Sequence, residues 1–115
     1  MKKVYIPFIG NHDSTPLAVY GQLVFITDRP TNPTGISGIE ELINRCFYAF
    51  PPSAEDYLVA CGHQVIVALA SLEFAKRFEC INYLVFDAKK QSYVERIVRT
   101  PLTKATLEWR PTEQG

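Results

Sequence analysis

The sequence predicts an α/β fold: a single small layered domain with a mostly parallel sheet of about five strands, two main helices and a C-terminal hairpin plus tail. Three observations predict it. Five short runs are rich in β-branched and aromatic residues. Two longer runs with helical signals follow the second and third of these. The resulting order contains two strand-helix-strand units, which join parallel strands by right-handed crossovers.

The first strand is Val4-Tyr5-Ile6-Pro7-Phe8-Ile9, in which Pro7 removes a ladder donor and so belongs to an edge or a strand end. Gly10 to Pro16 is dense in turn formers, and Leu17 to Tyr20 fits about one helical turn before Gly21 stops it. Leu23-Val24-Phe25-Ile26 is a continuous apolar run, expected as a second strand covered on both faces. The longest irregular stretch, Asp28 to Gly35, is stiffened by Pro30 and Pro33 and is of the kind that shapes a site. Ser37 and Glu40 match a capping box, so the first helix is expected to start there. Its apolar positions Ile39, Leu42, Ile43, Cys46 and Phe47 recur at spacings of three and four, and Pro51-Pro52 ends it.

Asp56 to Cys61 reads as the third strand, followed by Gly62 and a helical run from His63 to Phe78. The first part of that run, Val65 to Ala70, has no polar residue on any face. Such a cylinder is expected to be buried all round, by the sheet on one side and a second subunit on the other, with Val67 and Leu69 in the interface. Ile81 to Phe86 is the fourth strand, Asp87 to Gln91 a turn, and Tyr93 to Val98 a fifth strand that closes a hairpin. Residues 1–99 thus form the expected domain and residues 100–115 a polar arm. The arm holds Pro101, Pro111 and the single tryptophan, Trp109, expected as an anchor on a partner or neighbouring subunit.

At 115 residues, 47% hydrophobic, the chain fits one domain with a core that needs no metal or disulfide staple. Lys+Arg and Asp+Glu both total 12, and this neutrality argues against a sequence-blind nucleic-acid binder, whose affinity comes from cations displacing counterions. A neutral surface also favours self-association, so a homo-oligomer is expected. Cys46, Cys61 and Cys80 are odd in number and widely spaced, without the C-x-x-C pairing of a zinc or redox site. Reduced thiols are expected, and the run Val4 to Ile9 is too short for a signal-peptide core or a membrane span. The expected location is the cytoplasm, away from membranes, with no cofactor and no metal.

Parallel α/β sheets bind ligands beyond the carboxyl ends of their strands. That rim would gather His12, Asp13, Asp28, Arg29, Cys61, Gly62, His63 and Asp87. His63 falls at the start of the second helix, where free amides and the helix dipole favour an anion, and Gly62 lets a ligand approach the backbone. His12, Arg29, Gly62, His63 and Gln64 are therefore the candidate ligand-binding residues. The same residues also read as ordinary turn and cap chemistry, with Asn11 and Asp13 making Asx turns and Cys61 a small buried hydrophobe. Tyr83, Phe86 and Tyr93 offer a stacking surface or, equally, cross-strand pairs.

Two resemblances accompany these readings. Gly10-Asn11-His12-Asp13 resembles the G-N-H-[DE] block of calcineurin-like metallophosphoesterases, but it covers four residues, and the upstream aspartate-histidine block and the G-D-x-x-D block are absent. The pattern V-Y-I-P, H-D, G-Q-L-V-F-I-T-D, D-Y-L-V-A-C-G, N-Y-L-V-F-D-A-K-K and Y-V-E-R, spanning Val4 to Arg96, is similar to small proteins of tailed bacteriophages. It implies a phage setting and a bacterial host cytoplasm and transfers no activity. The expected function is a non-enzymatic, self-associating module that binds a host protein or a small anionic ligand such as a nucleotide at the rim. The alternatives are a small phosphodiesterase or other hydrolase using His12 and His63 near Asp13, and a structural subunit of a phage assembly.

Overall fold

The computed structural model describes residues 1–8, 13–27 and 36–101, apart from the side chains of Ile36 and Ser37. Gly10, Asn11, His12, Asp28, Arg29, the expected Ser37 cap and the arm with Trp109 lie outside the described residues.

Five strands and two helices form one domain: β1 (Lys3–Ile6), β2 (Gln22–Phe25), α1 (Ile36–Ala49), β3 (Tyr57–Val59), α2 (Gln64–Arg77), β4 (Cys80–Asp87) and β5 (Ser92–Arg99). A 3-10 helix, Thr15–Val19, links β1 to β2. The sheet order is β2-β1-β3-β4-β5, with the first three pairings parallel and β4–β5 antiparallel. This is the α/β architecture the sequence predicts.

The order dictates which face each connection covers. Right-handed crossovers send the β1-to-β2 link to one face, and the β2-to-β3 and β3-to-β4 links, which run the other way across the sheet, to the opposite face. Accordingly α1 and α2 pack together over Tyr5, Val24, Leu58 and Ile81. Tyr5 is wholly buried there, edge-on to Phe47 and Phe74, with its hydroxyl donating to the Phe50 carbonyl at 2.5 Å. The other face holds Val4, Ile6, Tyr57, Val59 and Leu84, plugged by Leu17 of the 3-10 helix.

β1 lies inside the sheet and ends before Pro7, so of the two places open to the proline it takes the strand end. One expectation needs correction. β2 is not covered on both faces, because it is an edge strand with β1 as its one neighbour: Val24 is buried while Gln22 and Phe25 are exposed. Within the single chain, the sheet and α1 cover one side of α2. Ile66, Ala70 and Phe74 face the sheet and Val65, Val67 and Leu69 are half-buried, leaving Ala68 and Leu72 exposed. Among the described residues no helix is long and apolar enough to cross a membrane.

Candidate functional site at the carboxyl rim

The strand order reverses between β1 and β3, and in open α/β sheets the crevice beyond the carboxyl ends at such a point is where ligands bind. The turn from β3 into α2 lies at that position. Gly62 adopts φ 96°, a left-handed conformation that side chains disfavour, and reverses the chain within one residue. The His63 N–H then donates to the Phe8 carbonyl at 3.0 Å, tying the segment after β3 to the segment after β1.

His63 is the N-cap of α2, and its Nδ1 accepts from the Ile66 N–H at 3.4 Å, a long contact. In the neutral ring an accepting Nδ1 leaves the proton on Nε2. That Nε2 is buried and, among the described residues, has no hydrogen-bond partner. Gln64, next along, is exposed, and the first-turn amides of Gln64 and Val65 have no intrahelical carbonyl to meet.

The other described rim residues, Asp13, Asp87 and Cys61, are occupied locally. Asp13 accepts from the Thr15 N–H at 2.9 Å in an Asx turn, and the hydrogen bonds of Thr15 hold its carboxyl below the usual range. Asp87 accepts from the amides of Lys89 and Lys90, stabilising the hairpin tip. Cys61 is half-buried, and burial pushes its thiol up against an opposing hydrogen bond with Tyr93. A protonated thiol paired with a tyrosine is a poor nucleophile, and it has no hydrogen bond with His63. Tyr93 is itself pushed up to about 12, chiefly by burial and then by Cys61.

Tyr93 also lines a cleft of about 240 Å³ with Asp13, Pro16, Phe86 and Gln91. The fold thus joins Cys61, Tyr93 and Asp13 beside the contiguous Gly62, His63 and Gln64. The place of Tyr93 at the rim was not evident from the sequence, because only the β4–β5 register, which sets it opposite Phe86, brings it there. A larger groove of about 390 Å³ runs between α1 and α2, lined by Ile43, Leu69, Leu72, Glu40, Glu73 and Lys76 among others. Among the described residues no three His, Cys, Asp or Glu side chains are placed to hold a metal.

The family model of phage Pam3 gp32-like proteins matches residues 2–100. The chain belongs to that family. Membership bears out the resemblance to small phage proteins and gives none to the calcineurin-like phosphoesterases. No curated protein and no solved structure matches the chain significantly.

Proposed function

We propose that this phage protein is a non-enzymatic binding module that seats a small anionic ligand, such as a nucleotide, at the carboxyl rim of its sheet. One observation carries the reading: the buried, unpartnered Nε2 of His63 at the start of α2, beside the point where strand order reverses. A buried donor without an acceptor is costly, and a ligand oxygen would relieve that cost. The amides of Gln64 and Val65 and the positive end of the helix dipole add to the attraction. Gly62, lacking a side chain, leaves room for the approach. The module also self-associates in this reading, and its free cysteines suit the reducing cytoplasm of an infected bacterium.

The test is calorimetric titration with inorganic phosphate and a panel of nucleoside mono- and diphosphates. The wild type is compared with His63→Ser, which keeps a capping oxygen and deletes Nε2. Binding in the wild type that weakens by roughly tenfold in the variant supports the reading, since a charge-assisted hydrogen bond contributes about that much. If no phosphate-bearing ligand gives heat at millimolar concentration, the reading fails.

A further inference from the structure

We propose that β5 is a homodimerisation edge, along which two copies pair antiparallel through Glu95, Ile97 and Arg99 about a two-fold axis at Ile97. The backbone sets the direction. In an antiparallel ladder, residues alternate between those whose N–H and C=O face the neighbouring strand and those that face away. The Thr100 N–H donates to the Glu79 carbonyl at 3.0 Å, and Cys80 is the partner of Arg99. Thr100, Val98, Arg96 and Val94 therefore face β4, and Arg99, Ile97 and Glu95 present their backbone groups to the outer edge. The next outward carbonyl, that of Tyr93, accepts from the Tyr20 hydroxyl at 3.3 Å, so the 3-10 helix segment closes that end. At the other end Pro101 has no N–H and stops a ladder. Among the described residues, the open template is the three outward residues between these limits.

The side chains then select one register. Glu95, Ile97 and Arg99 lie on one face of the strand, with Ile97 70% exposed. An axis at Ile97 sets the two isoleucines against each other and places Glu95 opposite Arg99 of the partner subunit on both sides. On the opposite face, Arg96 falls across from Val98 of the partner subunit, whose exposed side chain the arginine stem would cover. Moving the axis to Glu95 or to Arg99 puts like charges directly opposite, which destabilises cross-strand pairing. With zero net charge, no long-range repulsion opposes association.

Two present contacts bear on the pairing. The Arg96 guanidinium donates to the Glu95 carbonyl at 2.8 Å and must release it to the partner's amide. Arg96 is exposed, so the exchange replaces a surface contact with a ladder bond. The Glu95 carboxylate accepts from the Tyr57 hydroxyl at 2.7 Å and keeps further acceptor positions for an arginine. The proposal is independent of the ligand reading, because none of these residues takes part in the His63 turn.

Sedimentation of the full chain tests it, together with amide exchange of the wild type. The wild type should sediment as a dimer at micromolar concentration, with the Ile97 and Arg99 amides protected although both face away from β4. Arg99→Glu, which sets glutamate against glutamate, should weaken the dimer by roughly tenfold, and Glu95→Arg combined with Arg99→Glu should restore most of it. Ile97→Lys should give a monomer with an unchanged circular dichroism spectrum. A monomeric wild type overturns the proposal, whether or not Ile97 is protected. A dimer indifferent to Arg99→Glu and Ile97→Lys, or one with Ile97 exchanging freely, overturns it too, since the interface then lies elsewhere.

Discussion

Asp56 is the residue on which the amino end of the sheet depends. It is 1% exposed, and its carboxylate accepts from the Lys3 N–H at 2.9 Å and the Ser53 N–H at 2.8 Å while pairing with Lys3 Nζ at 3.1 Å. One side chain thereby joins the starts of β1 and β3. Replacing it with alanine would leave two amides and a largely buried ammonium without their acceptor, a loss on the order of 3–5 kcal/mol. Urea denaturation should show that drop for Asp56→Ala, and a smaller one for Asp56→Asn, which keeps an acceptor oxygen. The contrast is Arg45 with Glu41, an exposed pair on α1 separated by one helical turn. Arg45→Ala should change stability by less than about 0.5 kcal/mol, because solvent screens such pairs. The difference between the two carboxylates was not legible in the sequence, where Asp56 reads as an ordinary strand start. Its deciding partner lies 53 positions away.

At the scale of elements, what could be read was what is written in local spacing. The three-and-four periodicity of Ile39, Ile43 and Phe47 marks the buried face of α1, and the apolar runs either side of Asp87–Gln91 mark the hairpin. The burial of β2 was misread because a continuous apolar run looks the same at an edge as in the middle, and only strand order separates the two. Part of the site was legible for the same local reason: Gly62-His63 announces a strand-to-helix turn, whereas Tyr93 reaches the rim through pairing across the hairpin. Gly21 is a case where pairing sets a requirement on an element junction. A Cβ there would stand 2.3 Å from the Lys2 carbonyl oxygen, which accepts from the Gln22 N–H to open the β1–β2 ladder. Gly21→Ala should therefore cost about 1–3 kcal/mol by forcing backbone apart, read as a lowered urea midpoint with an unchanged slope. His63 tests the junction on the other side of the sheet. His63→Ala should cost about 0.5–1 kcal/mol by removing the cap of α2, and His63→Ser should recover most of it.

Across the described residues, the sheet is clothed unequally: two helices seal one face, and the 3-10 helix seals only part of the other. Phenols and thiols nevertheless lie under both covers. Burial pushes Cys46, on α1, from 9.0 up to about 11 and raises Tyr5 in the sheet below it; on the opposite face it pushes Tyr93 from 10.0 up to about 12 and raises Cys61. Each group holds its proton more tightly folded than unfolded. Below the unfolded value both states are protonated and the stabilisation is full. As pH rises past that value the unfolded chain ionises first, so stability falls until the folded group ionises as well. The windows are about 9 to 11 for Cys46 and about 10 to 12 for Tyr93, and they overlap. The urea midpoint should therefore stay level with respect to these groups through neutral pH and descend steadily above about pH 9. Because the groups sit on both faces, one cooperative loss is expected, with tyrosinate absorbance and circular dichroism changing together. Cys46→Ala should make the descent between pH 9 and 10 shallower, even if a small void lowers the starting stability. A midpoint as steep in the variant as in the wild type would mean that the thiol is not held protonated by the fold.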